Sequence, residues 1–234
     1  MNPLPPSHRE EVLTDRFVLA VDIGQSIDST AIAVIHHRHA RHIQLRGQHD
    51  PIVHSDRTTY DVRHLARLPL GLSYVDQVSE VQRLLARPPL NARCDFCLDD
   101  TGVGRAVGDL FDSHGMQPTR ITITGAGQPT SAGLRRFRVP KATLISLLDA
   151  KLHLGELRIA KSLTDAGALA EELKDFRRKV SAAGRFSFEA RQNAHDDLVL
   201  AVAIGLWFLA GRPKPPVAGW STYSASTPPN IYGG

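Results

Sequence analysis

The patterned part of the chain begins with an apolar run, Val18-Leu19-Ala20-Val21, that Asp22 interrupts before Ile23. Such a run reads as a strand buried on both faces. Strands are expected at about 16–23, about 29–37 and about 41–48. Their short connections predict an antiparallel meander. A further extended piece follows in "VRHLARLPL". The period then changes to that of a helix: Val75, Val78, Val81 and Leu85 fall on one stripe, stopped by Pro88-Pro89.

After this helix, strands and helices alternate. "RCDFCLDD" is a short strand, "VGRAVGDLFDSHG" a helix stopped by Gly115, and "PTRITITG" another strand. The loop "AGQPTSAGLRRFR" leads to Pro140, which suits the first turn of the helix "KATLISLLDAKLHLG". "ELRIA" is extended, and Leu169, Leu173, Phe176 and Val180 carry helical spacing. "RFSFEAR" alternates as a last strand. "HDDLVLAVAIGLWFLAG" is a helix apolar nearly all round, hence buried, with its acids in the first turn. Antiparallel strands followed by strand–helix–strand crossovers, with helices on both faces, are the order of a ribonuclease H-like mixed α/β sheet. The Pro-rich residues 1–14 read as a flexible arm, 15–212 as the domain, and 213–234 as a flexible tail.

Composition constrains the picture modestly. The 234 residues are 42% hydrophobic and 22% charged, ordinary for a globular domain with a sizeable core. No apolar run is long enough for a membrane span, and the N-terminus shows no secretory h-region. Cys94 and Cys97 resemble half a zinc site but lack a second pair. On a strand they point to opposite faces, so they read as buried reduced thiols of a cytoplasmic protein. The histidines of "HHRHARH" read as a solvated hairpin rather than a metal cluster. A net charge of +4 is compatible with a polyanionic partner without requiring one.

The chemistry lies in the acids. Asp22 stands among apolar strand residues, where an ionised carboxylate is costly. Asp99 and Asp100 close a strand, and Asp196 and Asp197 open a buried helix, where the dipole favours negative charge. Taken singly, Asp196 reads as a cap and Asp99 as a turn residue. In the expected fold, however, the three elements meet. Clustered carboxylates repel unless a cation neutralises them, and an all-oxygen set suits Mg²⁺ or Mn²⁺. Two such ions about 3.5–4 Å apart support in-line phosphodiester displacement.

Together, "VDIGQSIDSTAIAVI", "LDDTGVGRAVGDLF", "RVPKATLISLLDAKLHLGELRIA", "ELKDFRRKVSAAGRFSFEAR" and "HDDLVLAVAIGLW" resemble the nuclease domain of phage terminase large subunits over about residues 16–211. The resemblance implies a ribonuclease H-like endonuclease that cuts double-stranded DNA with two divalent ions, Mg²⁺ or Mn²⁺, during phage genome packaging in the host cytoplasm. It places catalytic, metal-binding acids at Asp22, Asp99 and Asp197, with Asp196 as the alternative or additional ligand. Asp28, Asp100 and His195 stand as accessory candidates. Large subunits also carry a packaging ATPase. No Gly-x-x-x-x-Gly-Lys-Ser/Thr loop occurs here, so a separate ATPase, a small terminase subunit or a portal is the implied partner. Arg135, Arg136, Arg138 and Lys141 are expected to grip DNA phosphates. A resolvase of the Holliday-junction type, a non-catalytic DNA-binding packaging component and an actin-like phosphate-binding module are the competing readings. The chain's length argues against the last.

Overall fold

In the computed structural model the described residues are 7–24, 28–45, 53–183 and 196–212. Three long strands come first: β1 (Ser7–Asp22), β2 (Ala31–Leu45) and β3 (Val53–Arg67). They are followed by α1 (Tyr74–Leu85), β4 (Cys94–Asp99), α2 (Gly104–Ser113) and β5 (Thr119–Thr124). A hairpin of β6 (Thr130–Gly133) and β7 (Arg136–Pro140) leads to α3 (Lys141–His153), β8 (Leu157–Ile159), α4 (Ala166–Ala183) and α5 (Asp197–Leu206). A π-helical turn, Trp207–Gly211, extends α5. One eight-stranded sheet runs in the order β6-β7-β5-β4-β1-β2-β3-β8. β1, β2 and β3 are antiparallel, whereas β4 joins β1 and β5 joins β4 in parallel, which is the ribonuclease H-like arrangement expected.

Four expectations are corrected. Residues 7–14 are not an arm: they extend β1 and pair with β2 from Ser7↔Leu45 onward. The segment expected as a third strand is the second half of β2, and the true third strand absorbs "VRHLAR". The histidine run is therefore no hairpin. Its polar side chains find partners on the flanking strands: His36 Nε2 lies 2.7 Å from Asp15 Oδ1, Arg38 forks onto Glu10, and Arg41 Nε donates to Asp56 Oδ1 at 3.0 Å. Cross-strand pairing of this kind makes polar residues good strand formers where both faces meet solvent. The Arg-rich stretch read as a loop contains β6 and β7, which pair antiparallel. The strand expected at "RFSFEAR" lies outside the described residues.

The central strands separate two cores by their period of two. Val18 and Ala20 face a core built with α3, α4 and α5. Leu19, Val21 and Ile23 face a second core with α1 and α2. Residues 18–21 are all 0% exposed, which accounts for the unbroken apolar run. Cys94 and Cys97 are unbridged and belong to opposite cores, and burial pushes the Cys94 thiol up to about 12. α5 packs across β1 and β2. Gly205 permits that approach, since a Cβ there would lie 3.1 Å from Ile35 Cδ1 and 3.2 Å from Ala20 Cβ. Within α1, Val75 is exposed rather than on the stripe. Gln77 is buried instead, accepting from Thr30 Oγ1 at 2.7 Å and donating to Leu72 O at 2.9 Å. No helix among the described residues is long and apolar enough to cross a membrane.

One buried group couples this framework to pH. The His37 ring stacks on Tyr60 with centroids 4.7 Å apart, and burial, reinforced by Arg16, lowers its pKa to about 4. The unfolded chain, with an ordinary imidazole near 6.5, therefore binds the proton more readily. The stabilisation is complete above pH ~6.5 and is lost as pH falls towards the folded value. Urea midpoints measured across that window should fall less steeply for His37→Gln than for the wild type.

Candidate active site

Two parallel strands bring the first pair of acids together. Val21 pairs with Leu98 in register, so Asp22 and Asp99, one residue further on, are neighbours at adjoining strand ends. Adjacent strands lie about 4.8 Å apart. Both side chains share the α5 side of the sheet, because Ala20 and Cys97, two residues earlier, belong to that core. Asp22 thus ends β1 rather than interrupting it. The carboxyl ends of strands are where open α/β sheets bind ligands. Asp22 retains some solvent contact although protein surrounds it, as on the floor of a cleft. Asp99 is 7% exposed, and its Oδ1 accepts from the Thr101 amide at 2.8 Å. α2 starts immediately beside this turn. Only Gly104 fits there, since a Cβ would lie 2.0 Å from the Asp99 carbonyl oxygen.

The second pair comes from the start of α5. Asp196 occupies the N-cap position without a side-chain capping bond; its Oδ2 instead lies 2.5 Å from Lys141 Nζ. Asp197 is buried, and its Oδ2 accepts from Arg67 Nε at 2.8 Å. Arg67 also donates through Nη2 to Glu172 Oε1, and Glu172 Oε2 accepts from the Val199 amide at 2.9 Å. The capping carboxylate of α5 is therefore Glu172 of α4, not Asp196. Arg67 ties β3, α4 and α5 into one network, and its own amide donates to Asp165 Oδ2 at 2.9 Å.

The electrostatics follow from this crowding. Burial drives the Asp22 carboxyl well above the usual range, and Asp99, Asp196 and Asp197 push it further. Asp99 is also raised, chiefly by burial, against the Thr101 hydrogen bonds that stabilise its charge. Burial lifts Glu172 to about 7, opposed by Val199 and Arg67. Asp22 and Asp99, whose charge is destabilised, lie near the Asp196 and Asp197 carboxylates, and acids of this kind are oxygen donors suited to a hard divalent cation. Among the described residues, no three acid, His or Cys side chains close to ready-made metal-ligating distance. Asp22 and Asp99 are adjacent, whereas Asp196 and Asp197 hold Lys141 and Arg67. The donor types suit such a cation, but only Asp22 and Asp99 stand together without an organic cation between them. A shared site needs Asp197 or Asp196 to turn from its organic cation.

The remaining candidates are dispersed. Asp28 is exposed and lines a separate cleft with Thr30, Leu70 and Gln77. Asp100 faces α2: Arg120 Nη1 lies 3.4 Å and Arg136 Nη1 3.7 Å from its carboxylate. His195 lies outside the described residues. Lys141 belongs to the acid cluster rather than to an outward basic patch. Arg135, with φ 58°, donates to the carbonyl and side chain of Gln117. Phe137 and Val139 pack into the α5-side core, so Arg136 and Arg138 project from the opposite face. Arg138 pairs with Thr122, and Ile121 pairs with Asp99, which sets Arg138 one residue beyond the level of Asp99. Arg138 is exposed and has no acidic partner among the described residues. It lies two strands, about 10 Å, from β4. Arg67 and Glu172 escaped the sequence reading. Glu172 carried a signal: it falls three residues after Leu169 and one before Leu173, on the buried stripe of α4.

No family model and no curated protein matches the chain. Over most of its length it is similar to solved terminase nuclease domains. The large terminase nuclease of thermophilic phage G20c is 19% identical over 87% of this chain and 91% of that one, with a TM-score of 0.47. The Mn-soaked human cytomegalovirus terminase nuclease domain is 11% identical over 84% of each chain, with a TM-score of 0.44. The same viral domain in another structure is 11% identical over 83% and 85%, with a TM-score of 0.41. All three scores are below 0.5, so function must be argued from this chain's own residues.

Proposed function

We propose that the protein is a metal-dependent DNA endonuclease of the terminase large-subunit type, cutting double-stranded DNA during phage genome packaging. The observation that carries this reading is the juxtaposition of Asp22 and Asp99 on adjoining strand ends beside the acidic start of α5. A purely structural site would not gather like charges where each raises the cost of the next. Asp22, Asp99 and Asp197 would hold two ions, Mg²⁺ or Mn²⁺, with Asp196 as a further oxygen donor. When bound, such ions supply an activated water and offset charge on the departing oxygen of a phosphodiester.

The protein's own contribution is position. The Thr101 amide fixes the Asp99 carboxylate at the strand end beside Asp22. Arg67 donates to the buried Asp197 carboxylate and, with Glu172, holds the first turn of α5 in place. Lys141 holds Asp196. Arg138, exposed at the level of the strand ends, contacts the DNA backbone as a point of charge without reading bases. Arg135 and Arg136 add to the field from the same hairpin. Cytoplasmic action, and a packaging ATPase, small terminase subunit or portal as partner, belong to the same proposal.

Plasmid cleavage tests the reading. Nicking and linearisation are expected with Mn²⁺ or Mg²⁺ and should vanish on chelation. Intact supercoiled plasmid in all conditions, with the protein folded, defeats it. Arg138→Glu should weaken duplex binding by about tenfold at low salt and flatten its salt dependence by about one phosphate contact. Unchanged affinity and slope in fluorescence anisotropy would remove Arg138 from the DNA path.

A further inference from the structure

At the other end of α5 lies a cleft of about 430 Å³ whose walls include Thr14, Arg16, His37, Tyr60, Phe208 and Arg212. We propose that this cleft binds a phosphate group, at a site separate from the carboxylates. Fifteen residues separate Asp197 from Arg212, roughly 22 Å along a helix axis. The inference does not rest on the nuclease reading.

Three observations converge. First, the cations are concentrated and incompletely neutralised. The Arg212 guanidinium sits 4.3 Å from the Phe208 ring centroid and that of Arg16 lies 5.5 Å from the same ring. The acid facing Arg16 is Asp95, 3.9 Å from its Nε and itself 43% exposed. Asp56 stands 3.8 Å from His39 Nε2, and Glu156 holds Lys151 at 2.6 Å. No ion pair reaches Arg212 among the described residues.

Second, the cleft contains unsatisfied polar atoms. Arg16 Nε and His37 Nδ1 are buried and make no hydrogen bond. Leaving a buried polar group unpaired is costly, so two in one cleft call for an explanation. An anion between them accepts from the Arg16 N–H and from His37 in the tautomer that carries hydrogen on Nδ1.

Third, the field there is positive. Arg16, His39, His36 and Lys151 all act on His37 in the same direction, against its protonation. Arginines already stacked on a buried aromatic ring lose little freedom when they receive an anion, and their planar fork matches phosphate geometry. Donors from β1, β2 and the end of α5 approach from different sides, which favours a tetrahedral oxyanion over a planar carboxylate. The cleft exceeds the volume of one phosphate, so the group arrives on a larger carrier, either a free mononucleotide or a DNA strand.

Histidine-ring NMR spectra of the full chain, titrated in turn with inorganic phosphate, a nucleoside monophosphate and a short duplex, test this. His37→Gln assigns the His37 signals. Phosphate should shift them to saturation, and Arg16→Gln and Arg212→Gln, made separately, should each weaken the effect at least about tenfold. The signals of His114 and His153, remote from the cleft, should remain in place as evidence of fold. Tighter binding of the monophosphate than of the duplex identifies a soluble nucleotide; the reverse identifies a DNA backbone phosphate. His37 signals that ignore all three probes, or that respond in either arginine variant as tightly as in the wild type, overturn the proposal.

Discussion

Asp22→Asn is expected to lose metal-dependent cleavage by about a thousandfold or more while the metal-free protein becomes no less stable. Electrostatic contributions at a reacting centre are commonly worth two to three orders of magnitude each, and groups acting as a unit lose more. The stability half of the expectation is the more diagnostic. Asp22 lies beside Asp99 and within the influence of Asp196 and Asp197, all of which disfavour its charge. A neutral amide of the same shape removes that repulsion, so chemical denaturation in chelator should show an unchanged or higher midpoint. Added Mn²⁺ should stabilise the wild type through preferential binding to the folded state, and the variant much less. A residue retained for structure behaves in the opposite way. Asp22→Asn that unfolds readily yet still cuts when folded contradicts the assignment.

Arg67→Met is expected to be among the most destabilising single changes in the protein, at about 3–5 kcal/mol, the range for removing one partner of a buried ion pair. Arg67 is the shared counter-ion of Asp197 and Glu172, whose side chains are 8% and 6% exposed. Without it, two buried carboxylates face each other across the start of α5. Adding Glu172→Gln should recover part of the loss, because one of those charges is then gone; a double-mutant cycle in urea measures the recovery. Saturating Mn²⁺ should also recover part of it if Asp197 turns towards a metal. A loss below about 1 kcal/mol, or a strictly additive double variant, means that Arg67 is an ordinary surface cation.

The architecture was readable where apolar pattern and burial coincide. Residues 18–21 are apolar on both faces because a core lies on each side, and α5 is apolar all round because it packs across β1 and β2. The pattern failed where strands leave the core. Between Ile35 and Ile43 the β2 ladder is carried mostly by His and Arg whose partners come from β1 and β3, so no local period shows that the two predicted strands are one. The same reason hid the β6–β7 hairpin, whose first strand is exposed throughout.

For the site, the aspartates were visible because a carboxylate beside Val21 or Leu198 conflicts with its surroundings. Their cations were not. Arg67 is one of several arginines at strand ends, and only the pairing Ala31↔Arg67 places it across from α5. Lys141 read as part of a basic run by adjacency in sequence, whereas the turn from β7 into α3 directs it to Asp196. Long-range pairing of this kind, 55 residues apart, leaves no local trace.

Anomalous diffraction from crystals soaked in Mn²⁺ examines the central claim most directly. Density for at least one ion bridging Asp22 and Asp99, with Asp197 or Asp196 rotated away from Arg67 or Lys141 to join it, is the predicted result. Saturating Mn²⁺ that leaves the cleft without anomalous signal, while both arginine and lysine pairs stay closed, would contradict the account.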